Sequence, residues 1–387
     1  MTAQILIVAG YLLALLALGL SARRRAGSGH EGFFLANRAI GPILLFLTMT
    51  ASNFSAFTVL GFSGAAYRIG YAYYPIMAFG TGFMALAFIL IGVPIWRTAK
   101  QLGAVTPPEF ILLHLRNRPL HVAYAAVMVL FTLPYLAIQP MGAGYALEGL
   151  FGIPYVWGAI AVTAVGVGYV LLGGMKADVW TDALQGIVML AAMPAVFLGV
   201  AAALGGFAQA NQQALARFPE LFRRPGGGNA LPMGIWFSYM ALWFLCDPMF
   251  PHLFQRFIAA RNGRSLATTT LLYPLATGVL FFLPIAVGVM SRVALPGLEG
   301  KQTDQVLPMV VAKLLPSWVS AVAVIAVISA LMSAMGSQLL TLSSIVVRDI
   351  QLPALRRPRA IPIVMVVLAL AGLAIAWRLV AAILGEN

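Results

Sequence analysis

Apolar runs of about 20 residues or more alternate with short polar connections along the whole chain. They predict ten membrane-crossing helices at roughly 4–22, 41–67, 71–98, 119–147, 154–174, 178–204, 234–259, 266–293, 317–346 and 361–384. A helix needs about 20 such residues to cross the hydrocarbon, whereas barrel strands give short alternating segments. The expected class is therefore an all-α integral membrane bundle. One run departs from the pattern. Between Gly41 and Gly70, the apolar flanks Pro42 to Met49 and Phe57 to Phe62 enclose Thr50-Ala51-Ser52-Asn53-Phe54-Ser55-Ala56. Polar side chains at mid-depth find no water and must face protein, a cavity or a ligand. Two readings stand side by side. Either the backbone opens there, freeing carbonyls and half-helix ends for an ion or a polar solute, or the hydroxyls bond back to the preceding turn while Asn53 bridges two helices.

Composition agrees with the membrane class: of 387 residues 61% are hydrophobic and 9% charged, with a mean hydropathy of +0.93. The formal net charge of +13 does not point to nucleic acid, because the basic residues lie scattered in loops without interleaved aromatics. Their distribution speaks to topology. With the amino terminus outside, 16 of the 24 basic residues fall in cytoplasmic positions: Arg23, Arg24, Arg25, Arg38, Arg97, Lys100, Arg116, Arg118, Lys176, Arg256, Arg261, Arg264, Arg348, Arg356, Arg357 and Arg359. The other 8 fall outside, so this orientation is the one expected. Residues 4–20 carry their charge after the run and show no A-x-A-like cleavage site, which reads as a retained first helix. Thr106-Pro107-Pro108-Glu109 has the form of a helix start, with Thr106 as N-cap, Pro107 first and Glu109 closing a capping box.

Few residues can carry chemistry. Asp182 and Asp247 lie within apolar runs, where ionised carboxylates mark an ion or proton path or a local pair. Asp178 and Asp182 follow Gly173-Gly174, a tight turn before a helix. Asp178 fits a helix-end role, and Asp182, one turn deeper, fits a cation role better. Asp247 sits in Trp243-Phe244-Leu245-Cys246-Asp247-Pro248-Met249-Phe250-Pro251-His252, where two prolines kink the span and release carbonyls. It serves either a solute site or a filled kink in which Asp247 is paired or protonated. Ser329, Ser333, Ser337 and Ser344 place hydroxyls along one helical face, suited equally to close packing and to ligating a small cation. Cys246 is the only cysteine, and His30, His114, His121 and His252 show no metal spacing. No catalytic motif is visible, which disfavours an enzyme.

Five stretches together resemble the sodium:solute symporter family. They are Phe34-Leu35-Ala36-Asn37-Arg38; Ala51 to Gly61 with Gly64-Ala65-Ala66-Tyr67; Gly173-Gly174 through Gln185 with Trp180-Thr181-Asp182; Pro251-His252 with Gln255-Arg256-Phe257; and Ser333 to Asp349. The resemblance implies a LeuT-like bundle of two inverted five-helix repeats preceded by one extra helix. Residues 1–40 would hold that helix and a cytoplasmic loop, residues 41–204 the first repeat, and residues 233–387 a second, incomplete one. It further implies a Na+ site built from backbone oxygens of Ala51, Phe54 and Ala330 with positions Ser333 and Ala334. A second cation site would use Asp182, Ser337 and Ser333. Substrate would lie near Asn53, Ser55, Gln139 and Trp243, with Asp247 added from the proline-flanked kink.

The expected activity is cation-coupled symport of a small organic solute by alternating access in the inner membrane, with Na+ as the coupling ion and H+ as the alternative. Ser-Ala-Phe-Thr at 55–58 and Pro-His at 251–252 look most like the monocarboxylate-permease branch, which suggests a small carboxylate, with an amino acid next. A sensory or binding module that keeps the fold without net transport is the other class considered. The partners expected are the solute and the lipid bilayer, with no nucleic acid and no obligate protein. Two departures from the family pattern stand out. Position 334 is Ala where many sodium-coupled members carry a hydroxyl, and the chain stops at Asn387 where a tenth core helix would follow. The second reads as a truncated sequence or a shortened member.

Overall fold

A computed structural model describes residues 2–23, 29–350, 355 and 360–384. Arg24, Arg25, Arg356, Arg357, Arg359 and Asn387, used in the topological reading, lie outside the described residues. Among those described no strand forms, and the only sheet-like pairing is a single parallel bridge between Ile40 and Ala260. The helices, in chain order, are α1 (Thr2–Arg23), α2 (Gly29–Leu35), α3 (Pro42–Asn53), α4 (Phe57–Ile69), α5 (Tyr73–Leu102), α6 (Pro107–Leu115), α7 (Arg118–Phe151) and α8 (Tyr155–Ala203). There follow α9 (Phe207–Arg217), α10 (Met233–Cys246), α11 (Pro251–Ala259), α12 (Gly263–Ala294), α13 (Val306–Leu314), α14 (Ser317–Asp349) and α15 (Ala360–Leu384).

Each of the ten stretches read from the sequence is helical. Among the described residues seven helices are long and apolar enough to cross a membrane, or eight when α3 and α4 count as one bent span. The difference from ten has physical causes. At about 1.5 Å per residue, the 49 residues of α8 would reach about 74 Å, far beyond a hydrocarbon layer of roughly 30 Å. Gly174 resolves this with φ 55° and ψ −143°, a backbone state that a side chain would strain. A Cβ there would also lie 2.3 Å from the Phe33 carbonyl oxygen. The stretch is thus two rods joined at a glycine hinge that seats against α2. The other shortfall is the 233–259 run, which divides at the Asp247–Pro251 prolines into α10 and α11, each too short to cross alone.

Burial ranks the rods. In α14, 89% of the most apolar window is buried, against 22% in α1, so α14 is the central post and α1 lies at the periphery. Helices α3, α7 and α8 pack on α14, and α12 packs on α3, α4 and α5. At one end of α14 the helix start expected at Thr106 is present: the Thr106 hydroxyl accepts from the Glu109 N–H at 3.1 Å. The Glu109 carboxylate takes the N–H of Val105, one residue before the cap, at 2.8 Å. It also binds Arg348 at 2.5 Å, while Thr106 donates to Asp349 at 2.7 Å, so α6 is tied to the end of α14.

Candidate functional site

Of the two readings left open for residues 50–56, the backbone does break there, and the contacts of the other reading are present as well: Ser52 bonds back to the Thr48 carbonyl at 2.5 Å and Asn53 bridges to neighbouring helices. Helix α3 stops because Phe54 turns extended, with ψ 124°. Helix α4 restarts with a loosened π-helical turn over Phe57–Gly61, and the two rods meet at 60°. Such π turns recur at functional sites because they misalign the regular ladder and expose backbone groups. The Phe54 N–H is shared between the carbonyls of Ala51 and Thr50, at 3.1 and 3.3 Å. From α7, the Gln139 side-chain oxygen accepts the Ala56 N–H at 3.1 Å, and its amide donates to the Tyr135 carbonyl at 3.2 Å. Tyr135 in turn donates to the Ser55 hydroxyl at 3.1 Å. Gln139 and Ser55 therefore brace the break.

On the α14 side of the break lies a fully buried charged cluster. The second rod of α8 supplies Asp178 and Asp182, and α11 supplies Arg256, all at zero exposure. The Arg256 Nη2 donates to Asp182 Oδ2 at 2.7 Å and to Asp178 Oδ2 at 2.9 Å. Four hydroxyls complete the shell. Thr48 donates to Asp182 at 2.5 Å and Ser52 at 3.1 Å, while Ser333 donates to its other oxygen at 2.6 Å. Ser337 bridges Asp178 at 3.1 Å and lies 3.1 Å from Ser52. The Asp178 Oδ1 has no hydrogen-bond partner among the described residues. Two carboxylates face one guanidinium here, so were both ionised one negative charge would be left over, and a proton or a small hard cation is what such a cluster of oxygens would take up. Close approach here depends on Gly336, where a Cβ would meet Asp178 Oδ1 at 2.6 Å and the Tyr169 hydroxyl at 2.4 Å.

On the opposite side of the break a second carboxylate is held differently. The Asn53 amide donates to Asp247 Oδ2 at 3.1 Å and also to the Tyr273 hydroxyl. Asp247, 1% exposed, lines a cavity of about 20 Å³ with Asn53, Phe57, Thr81, Tyr135, Trp243 and other mostly aromatic residues. That is room for roughly one water. Trp243 stacks on Phe57 with ring centres 5.7 Å apart.

The structure thus brings Asn53, Trp243 and Asp247 to one cavity, with Ser55 and Gln139 beside it, and groups Asp182, Ser333 and Ser337 across the break. Ala51, Phe54, Ala330 and Ala334 are all buried on helices α3 and α14 or at the break between α3 and α4. Arg256 corrects the topological reading: it stands inside the bundle and not in a loop. Asp178, read as a helix-end charge, shares that guanidinium. Sequence reasoning missed Thr48, Tyr273 and Thr81 because single polar residues in apolar runs carry no periodic signal. Among the described residues, no three His, Cys, Asp or Glu side chains cluster as a transition-metal site.

A bundle with a span broken at mid-depth and charged oxygens beside the break is the architecture of a secondary transporter. The model of the sodium:solute symporter family matches residues 33–386. The chain belongs to that family, and it is a sodium-coupled symporter of a small organic solute rather than an enzyme. It is 26% identical over 351 residues to the sodium/pantothenate symporter of Escherichia coli strain K12, covering 90% of this chain and 72% of the relative. It is 27% identical over 352 residues to the sodium/proline symporter of Staphylococcus aureus strain JH9, covering 89% and 67%. Among solved structures, a substrate-bound, outward-open Na+-coupled sialic acid symporter superposes with a TM-score of 0.82 at 18% identity, over 97% of this chain and 82% of that one. That likeness establishes the LeuT-type fold.

Proposed function

We propose that Na+ binds between α3 and α14, using backbone oxygens of Ala51, Phe54 and Ala330 with the Ser333 hydroxyl, and that a second cation position lies at Asp182, Ser333 and Ser337. The observation that carries this reading is the pairing of two buried carboxylates, Asp178 and Asp182, with the single guanidinium of Arg256 among four hydroxyls beside the broken helix. Ala334 adds no hydroxyl, so Ser333 is the one side-chain oxygen of the first position. Its hydrogen bond to Asp182 couples the two positions electrostatically. The solute occupies the other side of the break, against Asn53, Ser55, Gln139, Trp243 and Asp247. The cavity there holds about one water's volume, so solute entry requires α10 and α7 to move away from α3–α4, as alternating access demands.

The solute is a monocarboxylate or an amino acid. Relatives that carry pantothenate or proline support a small molecule of that kind. The first inverted repeat spans residues 41–204 and a second, incomplete one residues 233–387, and the amino terminus faces outward from the inner membrane. Uptake of labelled proline and of short monocarboxylates into proteoliposomes tests the function. Accumulation driven by an inward Na+ gradient is expected. Accumulation that follows a pH gradient with Na+ replaced by K+ would assign the coupling to protons, and no gradient-driven accumulation would overturn the reading.

A further inference from the structure

The buried carboxylates Asp178, Asp182 and Asp247 are not equivalent. Asp178 and Asp182 share Arg256, whereas Asp247 forms no ion pair among the described residues. Its partners are the neutral amide of Asn53 and the side chain of Thr81. A carboxylate in a low-dielectric site without a counter-charge is costly, and such groups are retained where they have a job. Among the described residues none that lines the cavity of Asp247 is basic. Its walls are aromatic instead, with Phe57, Phe62, Tyr135, Trp243, Phe250 and Phe281 around the carboxylate. Ring faces present negative charge and attract organic cations. A carboxylate and aromatic faces together form a recognition site for an ammonium group. A solute bearing only a carboxylate would find no basic side chain among the residues that line this cavity.

We infer that the solute carries a protonated or quaternary amine, which pairs with Asp247 against the Trp243 and Phe57 faces. This rests on the assignment of the cavity as the solute site and narrows the two solute classes to the amine-bearing one. In the occluded arrangement Asn53 satisfies the carboxylate. When α10 withdraws, the ammonium takes over one carboxylate oxygen while Asn53 keeps its bond to Tyr273. Asp247 is then a specificity-determining residue.

The test is a thermal-shift and uptake panel on the full chain in NaCl and in KCl, with proline, γ-aminobutyrate, glycine betaine, n-butylamine and butyrate as probes. Stabilisation by at least one ammonium-bearing probe in NaCl, with none by butyrate, is expected. Asp247→Asn should weaken that probe at least about tenfold, and Asp247→Glu should retain part of its binding. Stabilisation by butyrate alone, by no ammonium-bearing probe, or equally in Asp247→Asn would overturn the inference. Should Asp247→Asn fail to fold, the unsubstituted chain decides through the butyrate comparison. A melting shift from NaCl over KCl without any probe reports the cation site separately. Its loss would strike the sodium assignment, while its presence with butyrate preference would strike only the amine.

Discussion

Two buried carboxylate sites flank one broken helix, and they are built on opposite plans. Around Asp182 the protein supplies a counter-charge and a polar shell: two carboxylates share one guanidinium among four hydroxyls, all contributed by α3, α8, α11 and α14. Around Asp247 the protein supplies only a neutral amide, a hydroxyl and aromatic rings. The first site is a structural hub that leaves a residual attraction for a small cation. The second leaves a carboxyl group without a counter-charge among the described residues, open to a cationic partner arriving from outside. Burial alone does not reveal what a charge is for; the identity of its partner does.

The sharpest way to break this contrast is Arg256→Met. Removing the shared guanidinium leaves Asp178 and Asp182 facing each other in a dry site, and the loss of a buried partner costs about 3–5 kcal/mol. A large fall in melting temperature is expected, partly recovered by adding Asp178→Asn; a parental melting curve would mean the cluster is not an ion-pair hub. Next in size, Asp182→Asn should raise the half-saturating Na+ concentration by about tenfold or more, since it removes the acceptor of several charge-assisted bonds. An unaltered sodium profile would return Asp182 to a structural role. Ser333→Ala deletes one such bond at 2.6 Å and should raise the sodium requirement by roughly tenfold, measured by sodium-dependent uptake. Smallest in stability is Asp247→Asn. Neutralising an uncompensated charge should leave folding free energy within about 1 kcal/mol of the parent, or raise it. A loss comparable to that of Arg256→Met would erase the distinction between the two sites.

How much of this was legible in the sequence depends on whether the signal was local. The break at Thr50 to Ala56 could be read because small polar residues interrupt an apolar run, and the glycine hinge at 174 because two glycines precede acidic residues. The kink at Asp247 announced itself through its prolines. The charged hub did not. Arg256 meets carboxylates 74 and 78 residues away in the chain, and a basic residue at the edge of an apolar run looks like a loop anchor. Gln139 reaches an amide 83 residues distant, and its bracing role follows from α7 lying across the break. Tyr273 and Thr48 are single polar residues among apolar ones, invisible until their partners are in place. Pairing across the bundle, unlike interruption along a rod, leaves no trace in one sequence.

Gly336 shows how little material holds the hub shut. The space where a methyl would sit is filled by the Tyr169 hydroxyl and an oxygen of Asp178, so even alanine would act as a wedge between the central post and the hinged rod. That makes the position a mechanical fuse. A single carbon atom introduced there would press on Asp178 and Tyr169 and pry the acidic side of the hub away from its serines without touching a residue that lines the solute pocket.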